Sequence, residues 1–199
     1  MAGTIEVTKS GLVGDEQADL RFHGGADKAI CFYPREHYLH WQAVHELNMP
    51  KGGFGENVTI QGLPETSAHV GDVWAFGSAV VQISASRRPC WKLGARWGMP
   101  MLPEHVQRSG LTGYYARVIE QGSVSVGQAM SLVQRPHGAV TVFELNRIMN
   151  INKGDLSGVE RLLAAPGIPA PWVRKLERRL NGIPESDTNR LFGTRSSHG

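Results

Sequence analysis

The sequence predicts a mainly β domain, a barrel or sandwich of short strands, followed by a small helical appendage. Three observations carry this. Alternating Val/Ile-rich runs recur through the first two thirds of the chain, which is the pattern of half-buried strands. Tight-turn signals such as Gly14-Asp15, Gly71-Asp72 and Gly77-Ser78 separate many of them, within a total of 24 glycines in 199 residues. Beyond about Gln134 the hydrophobic period lengthens to that of helices.

In chain order the alternation predicts strands over Ile5–Val7, Ala29–Tyr33, Val58–Ile60, Val70–Phe76, Ala79–Ser84, Tyr114–Ile119 and Met130–Val133. Regular short strands favour a closed or double-sheet arrangement, since closure removes unpaired edges. Two helices interrupt them. One opens at Pro34, where a fixed φ suits a first turn, and runs to about Leu47; the other lies near Pro103–Ser109. Arg135-Pro136-His137-Gly138 reads as a linker. Thr141-Val-Phe-Glu144 and Ser157-Gly-Val-Glu160 then fit the capping box, with Gly167 and Gly182 at expected helix ends. Pro171 opens a third helix whose apolar stripe is Trp172, Val173, Leu176 and Leu180. The organisation expected is a β domain over residues 1–135 and a three-helix domain over residues 139–199.

Composition narrows the class of function. No window approaches the ~18 continuous apolar residues of a membrane span. The start MAGTIEVTKSG has neither the basic nor the apolar region of a secretory signal. Two cysteines make no disulfide framework, and free thiols suit a reducing compartment, so a cytoplasmic protein is expected. Residues 1–135 carry 12 Lys/Arg and 12 Asp/Glu, so the whole net charge of +3 falls in residues 136–199. A neutral body argues against a nucleic-acid-binding face. The cluster Arg174, Lys175, Arg178 and Arg179 has the spacing of a solvated helix face.

The densest local charge surrounds one cysteine. In "QISASRRPCWKLGARWG" a strand ends in Arg87 and Arg88, and Pro89-Cys90 precedes Trp91 and Lys92. Positive charge favours thiolates, the form that attacks electrophiles or binds metal, and Pro89 stiffens the presentation. A half-buried cysteine beside surface arginines is the plainer alternative. In "GDEQADLRFHGGADKAICFYP", the N–H groups around His23, Gly24 and Gly25 suit an anion, with Lys28 adding charge on the same side; a tight turn is the alternative. Asn57, after the glycines of "GGFGENVTIQG", has an amide able to read a heterocycle edge, or it is a turn residue. That stretch is no dinucleotide fingerprint, because no strand precedes it. His37, His40 and His45 on the Pro34 helix lack the HExxH pattern, and packing explains them better than metal binding. Cys31, inside a predicted strand, reads as a core residue.

The succession GLVGDEQADLRFHGGADKAICFYP, GFGENVTIQGL, VGDVWAFGSAVVQISASRRPCWKL and GYYARVIEQGSVSVGQ resembles the MOSC domain, named for the C-terminal domain of molybdenum cofactor sulfurases. The resemblance is narrower to the stand-alone bacterial subgroup linked to resistance against N-hydroxylated purines, which carries a C-terminal three-helix domain. It implies a MOSC-type β-barrel and a molybdenum cofactor (Mo-molybdopterin) bound through Cys90, the cysteine after the R-x-P step. A thiolate completes a soft-donor set beside the dithiolene sulfurs. Arg87, Lys92, Lys28 and the N–H groups of His23, Gly24 and Gly25 would hold the cofactor's phosphate, and Asn57 would read the pterin.

The function this implies is reduction of N-hydroxylated bases or related compounds to amines. Neither the four ligands of a ferredoxin-type cluster nor a flavin or nicotinamide fingerprint is visible, so electrons are expected from a separate reductase. The terminal helices would serve as an interaction or lid element, and a homodimer is a further candidate assembly. Two alternatives stand beside this reading. One is a non-enzymatic carrier of the cofactor, or of a persulfide, on Cys90. The other is Cys90–His hydrolysis, for which no orienting Asp or Asn is identifiable.

Overall fold

The computed structural model describes residues 3–15, 25–183 and 185–193. Strands β1 (Thr4–Thr8), β2 (Gly11–Leu12) and β8 (Gly122–Ser125) form a small antiparallel sheet. Six more form a mixed sheet in the order β4-β3-β7-β6-β5-β9: β3 (Ile30–Pro34), β4 (Val58–Ile60), β5 (Val73–Phe76), β6 (Ala79–Ser86), β7 (Tyr114–Glu120) and β9 (Met130–Gln134). Only the β3–β4 pair among these is parallel. Register shifts in the β6–β7 pair, at Val80/Val81 and Ile83/Ala85, bend the large sheet into a half-barrel. The small sheet leans on it where Ser78 N–H donates to Ser123 O at 2.9 Å. The fold is the predicted mainly β one, a curled half-barrel with helices and a helical C-terminal region.

Helices α1 (Glu36–His45), α2 (Trp91–Trp97) and α3 (Leu102–Ser109) cover the outer face of β3. Tyr33, Trp41, Phe54, Leu93, Leu102 and Val106 form a second core there, separate from the barrel core. Tyr33 stacks on Phe54 at 4.2 Å, and Trp41 Nε1–H donates to the Tyr33 hydroxyl at 2.7 Å, so the buried polar ends satisfy each other. His37 is buried and meets Glu65 at 2.6 Å. Glu65 also accepts from Gly113 N–H at 2.6 Å, which makes this pair a structural tie between α1 and the start of β7.

The C-terminal region comprises α4 (Val142–Asn146), a wider π turn over Arg147–Ile151, α5 (Leu156–Ala164), α6 (Ala170–Leu180) and α7 (Thr188–Phe192). It shares the barrel's core. Leu145, Ile148, Met149, Leu162 and Leu176 belong to the same buried cluster as Ile83 and Phe32. The segment read as a linker is pinned rather than loose, since Arg135 forms a two-point ion pair with the fully buried Asp72 at 2.7 Å.

Several local expectations need correcting. Pro34 ends β3 against Ile60 instead of opening α1, whose cap is Arg35. Val70 lies outside β5, because Asp72 turns back to accept from His69 N–H at 3.0 Å. Thr141 caps α4 by accepting from Glu144 N–H, but the Glu144 carboxylate turns to Arg161 and the reciprocal half of the box is not made. Asp155, not Ser157, caps α5, because its carboxylate is the stronger acceptor for Gly158 N–H. Leu180 is exposed rather than in the apolar stripe. Strands β2 and β8 and helices α2 and α7 have no counterpart among the predicted elements. Gly94 lies in the middle of α2, and that helix rests on tertiary packing, with Leu93 buried and a Cβ at Gly94 coming 2.7 Å from Met99 O.

Gly113 joins these layers. Its φ is +72°, and a Cβ at this position would come 2.6 Å from Phe32 O, which leaves no room for a side chain. Gly113→Ala is expected to cost more than about 1 kcal/mol. The check is a lower urea midpoint with an unchanged slope.

Candidate functional site

The site begins where β6 runs out. Ser86 is the last residue of that strand, and Arg87 N–H still donates to Gly113 O at 3.0 Å, so the chain leaves the sheet in a fixed direction. Cys90, extended at φ −131°, is the cap residue of α2. Pro89 stiffens the step between, and its carbonyl accepts from Arg190 of α7. The cysteine is thereby held from both sides, by the sheet and by the last helix.

Cys90 faces a cavity of about 930 Å³, large for a small-molecule site. One wall is the barrel: Ser86, Tyr115, and the short 3₁₀ turn Ala26–Lys28 that precedes β3. The facing wall is C-terminal: Pro169, Trp172, Lys175 and Arg178 from α6 and its entry, then Glu185, Ser186, Asp187, Asn189 and Arg190 around the start of α7. Trp91, Tyr115 and Trp172 give the space flat aromatic surfaces. Ser86 is 1% exposed, and its hydroxyl has no hydrogen-bond partner among the described residues. An unsatisfied buried hydroxyl in a cavity wall is a costly arrangement, relieved by a ligand that hydrogen-bonds to it.

Asp187 organises the C-terminal wall. It meets Arg88 at 2.6 Å, Lys153 at 2.7 Å and Arg190 at 3.1 Å. Burial works to raise its pKa, but the Lys153 hydrogen bond and the charges of Arg190 and Arg88 outweigh it and hold the carboxyl at about 2. Arg88 also donates to Asn150 Oδ1 at 3.1 Å, and the other end of Arg190 reaches Gln107. Burial and then the charges of Arg88 and Lys175 lower the pKa of Lys28. Lys175 is lowered likewise, by burial and then by Arg88.

The predicted site residues divide. Lys28, Cys90 and Lys92 all line the cavity. Arg87 does not. Its guanidinium donates to Phe54 O, leaving one buried nitrogen without a partner among the described residues. Asn57 is also elsewhere, and both ends of its amide serve the fold. Its Oδ1 accepts from Cys31 N–H at 2.6 Å while its own backbone N–H donates to Cys31 O, which fixes the parallel register of β3 and β4; its amide nitrogen donates to Asp15. Gly25 precedes the 3₁₀ turn at φ +101° and is not part of the wall. His23 and Gly24 lie outside the described residues. Cys31 is buried in β3, and burial pushes its thiol up to about 11, with Arg87 pulling the other way. His45 stacks on His105 with ring centroids 4.8 Å apart, away from the cavity wall. Among the described residues no three His, Cys, Asp or Glu side chains are grouped as metal ligands. Among them also, no helix is long and apolar enough to cross a membrane.

Sequence reasoning misses Ser86, Arg88, Asp187 and Arg190 as site residues. It also reads Lys175 and Arg178 as solvated, whereas both line the cavity. Their spacing of three residues, matching one face of α6, is the available signal.

Comparison with known proteins gives a consistent answer. Residues 19–131 match the MOSC domain, and residues 140–182 match the YiiM-like 3-alpha helix domain. YiiM of Escherichia coli is 38% identical over 196 residues, covering 96% of this chain and 87% of that one. Its crystal structure superposes with a TM-score of 0.84 at 35% identity, covering 97% of this chain and 93% of the other. YflK of Bacillus subtilis is 41% identical over 180 residues, or 88% of this chain and 81% of that protein. A Gibberella moniliformis protein named Reductase is 29% identical over 193 residues, covering 94% of this chain but 34% of its own length.

The Asp187 cluster generates a pH prediction. With a folded pKa of about 2 against an ordinary 3.8, its contribution to stability is fully present above pH 3.8 and is lost as pH falls through 2. Asp187→Asn should lower the thermal midpoint at pH 7 and flatten its dependence between pH 4 and 2. Near-UV circular dichroism should report the loosening, because Gly193, at the end of α7, lies beside the Trp91 ring, where an added Cβ would come 3.5 Å from it. An unchanged acid profile in the variant would contradict this role.

Proposed function

The chain belongs to the MOSC-domain family and carries its YiiM-like three-helix region, and we propose that it is a molybdenum-cofactor enzyme reducing N-hydroxylated bases or related compounds to amines. The observation that carries the reading is the cavity itself. It presents one soft donor, Cys90, between aromatic faces and a surplus of cations.

Those residues fit the group. Cys90, as a thiolate, would supply a soft ligand to the cofactor's molybdenum. Trp91, Tyr115 and Trp172 offer flat surfaces for a pterin, and Lys28 and Lys92 offer charge for its phosphate. The orphaned Ser86 hydroxyl adds a hydrogen-bonding group for a bound molecule. Among the predicted cofactor residues, Arg87 takes a supporting role behind Cys90, and Asn57 supports the β3–β4 pair.

When bound, the cofactor supplies two-electron oxygen transfer. The overall change is R–NHOH plus two electrons and two protons giving R–NH2 and water: the N–O bond breaks, an N–H bond forms, and the oxygen leaves as water. The chain's own residues orient the base beside the aromatic faces and neutralise charge. The electrons come from a separate reductase. The relative named Reductase, which is almost three times longer than the stretch it shares with this chain, supports a reductive role.

Cys90→Ser is expected to cut activity on the order of a hundredfold or more and to lower molybdenum content, with an unchanged circular dichroism spectrum. Cys31→Ala should keep activity and lose about 1 kcal/mol of stability. An essential Cys31 with a dispensable Cys90 would reverse the assignment.

Protein produced in a host that makes the cofactor should contain stoichiometric molybdenum. It should reduce an N-hydroxylated base with a reduced viologen dye as donor and remain inert with NADPH alone. Molybdenum without turnover under either donor would favour the carrier reading, and sustained turnover with NADPH alone would reveal an internal redox site.

A further inference from the structure

The charge in the cavity is larger than one phosphate accounts for. Among the described residues six cations line it, Lys28, Arg88 and Lys92 on the barrel side and Lys175, Arg178 and Arg190 on the C-terminal side, against the carboxylates Asp27, Glu185 and Asp187. Those three carboxylates are not reserved for the cavity. Asp27 pairs with Arg117 at 2.8 Å, Glu185 with Arg179 at 3.9 Å as well as Lys175 at 3.3 Å, and Asp187 with Lys153 at 2.7 Å as well as Arg88 and Arg190. Each is thus shared with a cation outside the lining, so the local positive excess is greater than the charges of the wall alone suggest. A phosphate monoester carries about −1.5 to −2 at neutral pH. One such group, the cofactor's own, leaves the C-terminal wall under-compensated.

The second observation is Ser86. Its hydroxyl is buried in the cavity wall with no partner among the described residues, and a hydroxyl there donates readily to an anionic oxygen. The pKa values of Lys28 and Lys175 are both lowered, each by burial and then by Arg88, as expected of cations crowded around a space that suits an anion.

We propose that the cavity takes its substrate as a phosphate monoester, a hydroxylated base in the form of its nucleotide, with Lys175, Arg178 and Arg88 facing the phosphate and Ser86 Oγ donating to it. This deepens the reading of the preceding subsection and rests on it for the cofactor. It also gives the terminal helices a task. They complete the binding site, supplying the wall that distinguishes a nucleotide from a free base.

The test is calorimetric titration of the protein as isolated from a cofactor-competent host, with AMP and adenosine as non-reducible probes. AMP should bind at least about tenfold tighter than adenosine, with an advantage that shrinks as salt rises. Arg178→Gln, on an exposed part of the wall, should reduce that advantage several-fold without affecting folding. Lys175→Gln should reduce it further, and Ser86→Ala should lower AMP affinity about threefold or more while sparing adenosine. Equal binding of the two probes overturns the proposal. So does an AMP preference seen only in cofactor-free protein and lost on loading, which would assign these cations to the cofactor's phosphate. Metal content of the same sample reads the proposed function separately: equal binding of the two probes by molybdenum-loaded protein would remove the phosphate subsite and leave the molybdenum reading standing.

Discussion

One carboxylate holds the functional half of this molecule together. Asp187 sits between Arg88 of the cysteine loop, Lys153 after the π turn and Arg190 of the last helix. Three cations brought this close repel one another unless an anion lies among them, and burial strengthens both the attraction and the repulsion. The arrangement makes the cysteine loop and the C-terminal helices interdependent. Arg190 then extends the same link to Pro89 O, one residue from Cys90. The position of the thiol is a property of the whole chain rather than of the loop that contains it.

The rest of the architecture serves the same end. Bulges in the β6–β7 pair curl the sheet so that β6 delivers Ser86 and the cysteine loop to its rim. Asn57 fixes the parallel pairing of β3 and β4 from behind, and Glu65 fixes α1 and Gly113. Helices α4 to α6 bury their apolar faces in the barrel's own core, which sets the width of the cavity between the two walls. A rigid frame of this kind suits a site whose chemistry comes from a bound cofactor, because the protein's contribution is orientation and electrostatics.

Much of the frame is legible in the sequence because it is written in short-range patterns. The alternation Ala79-Val-Val-Gln-Ile-Ser84 declares β6, and Thr141 declares the start of α4. Helix α2 is illegible because its cause is not local: Gly94 weakens it, and Leu93 packing in the second core restores it. The site divides in the same way. Cys90 stands out, since its cations are neighbours in sequence. Lys175, Asp187 and Arg190 do not, because nearly a hundred residues separate them from the loop they face. A basic stripe on a helix looks solvated until the surface opposite it is known. Asn57 misleads for the opposite reason, as a polar residue beside glycines whose amide is consumed by register rather than by a ligand.

The pairing of β1 with β8 has a consequence for how this chain is made. Thr4 lies opposite Ser125, and Val7 opposite Gly122. At a synthesis rate of about 5–20 residues per second, the first strand waits roughly 6 to 24 s before its partner exists. During that time the edge that β8 will cover is unpaired, and the barrel core lacks the C-terminal helices that share it. Such distant pairing also makes closure slow, since the entropy of a long loop is spent before any contact repays it. The charged and hydroxylated residues Thr4, Glu6 and Thr8 on this strand reduce its tendency to join other chains in the interval. Birth on the ribosome therefore proceeds from an incomplete sheet, through the arrival of β8, to the later addition of the helical wall that faces the cysteine loop.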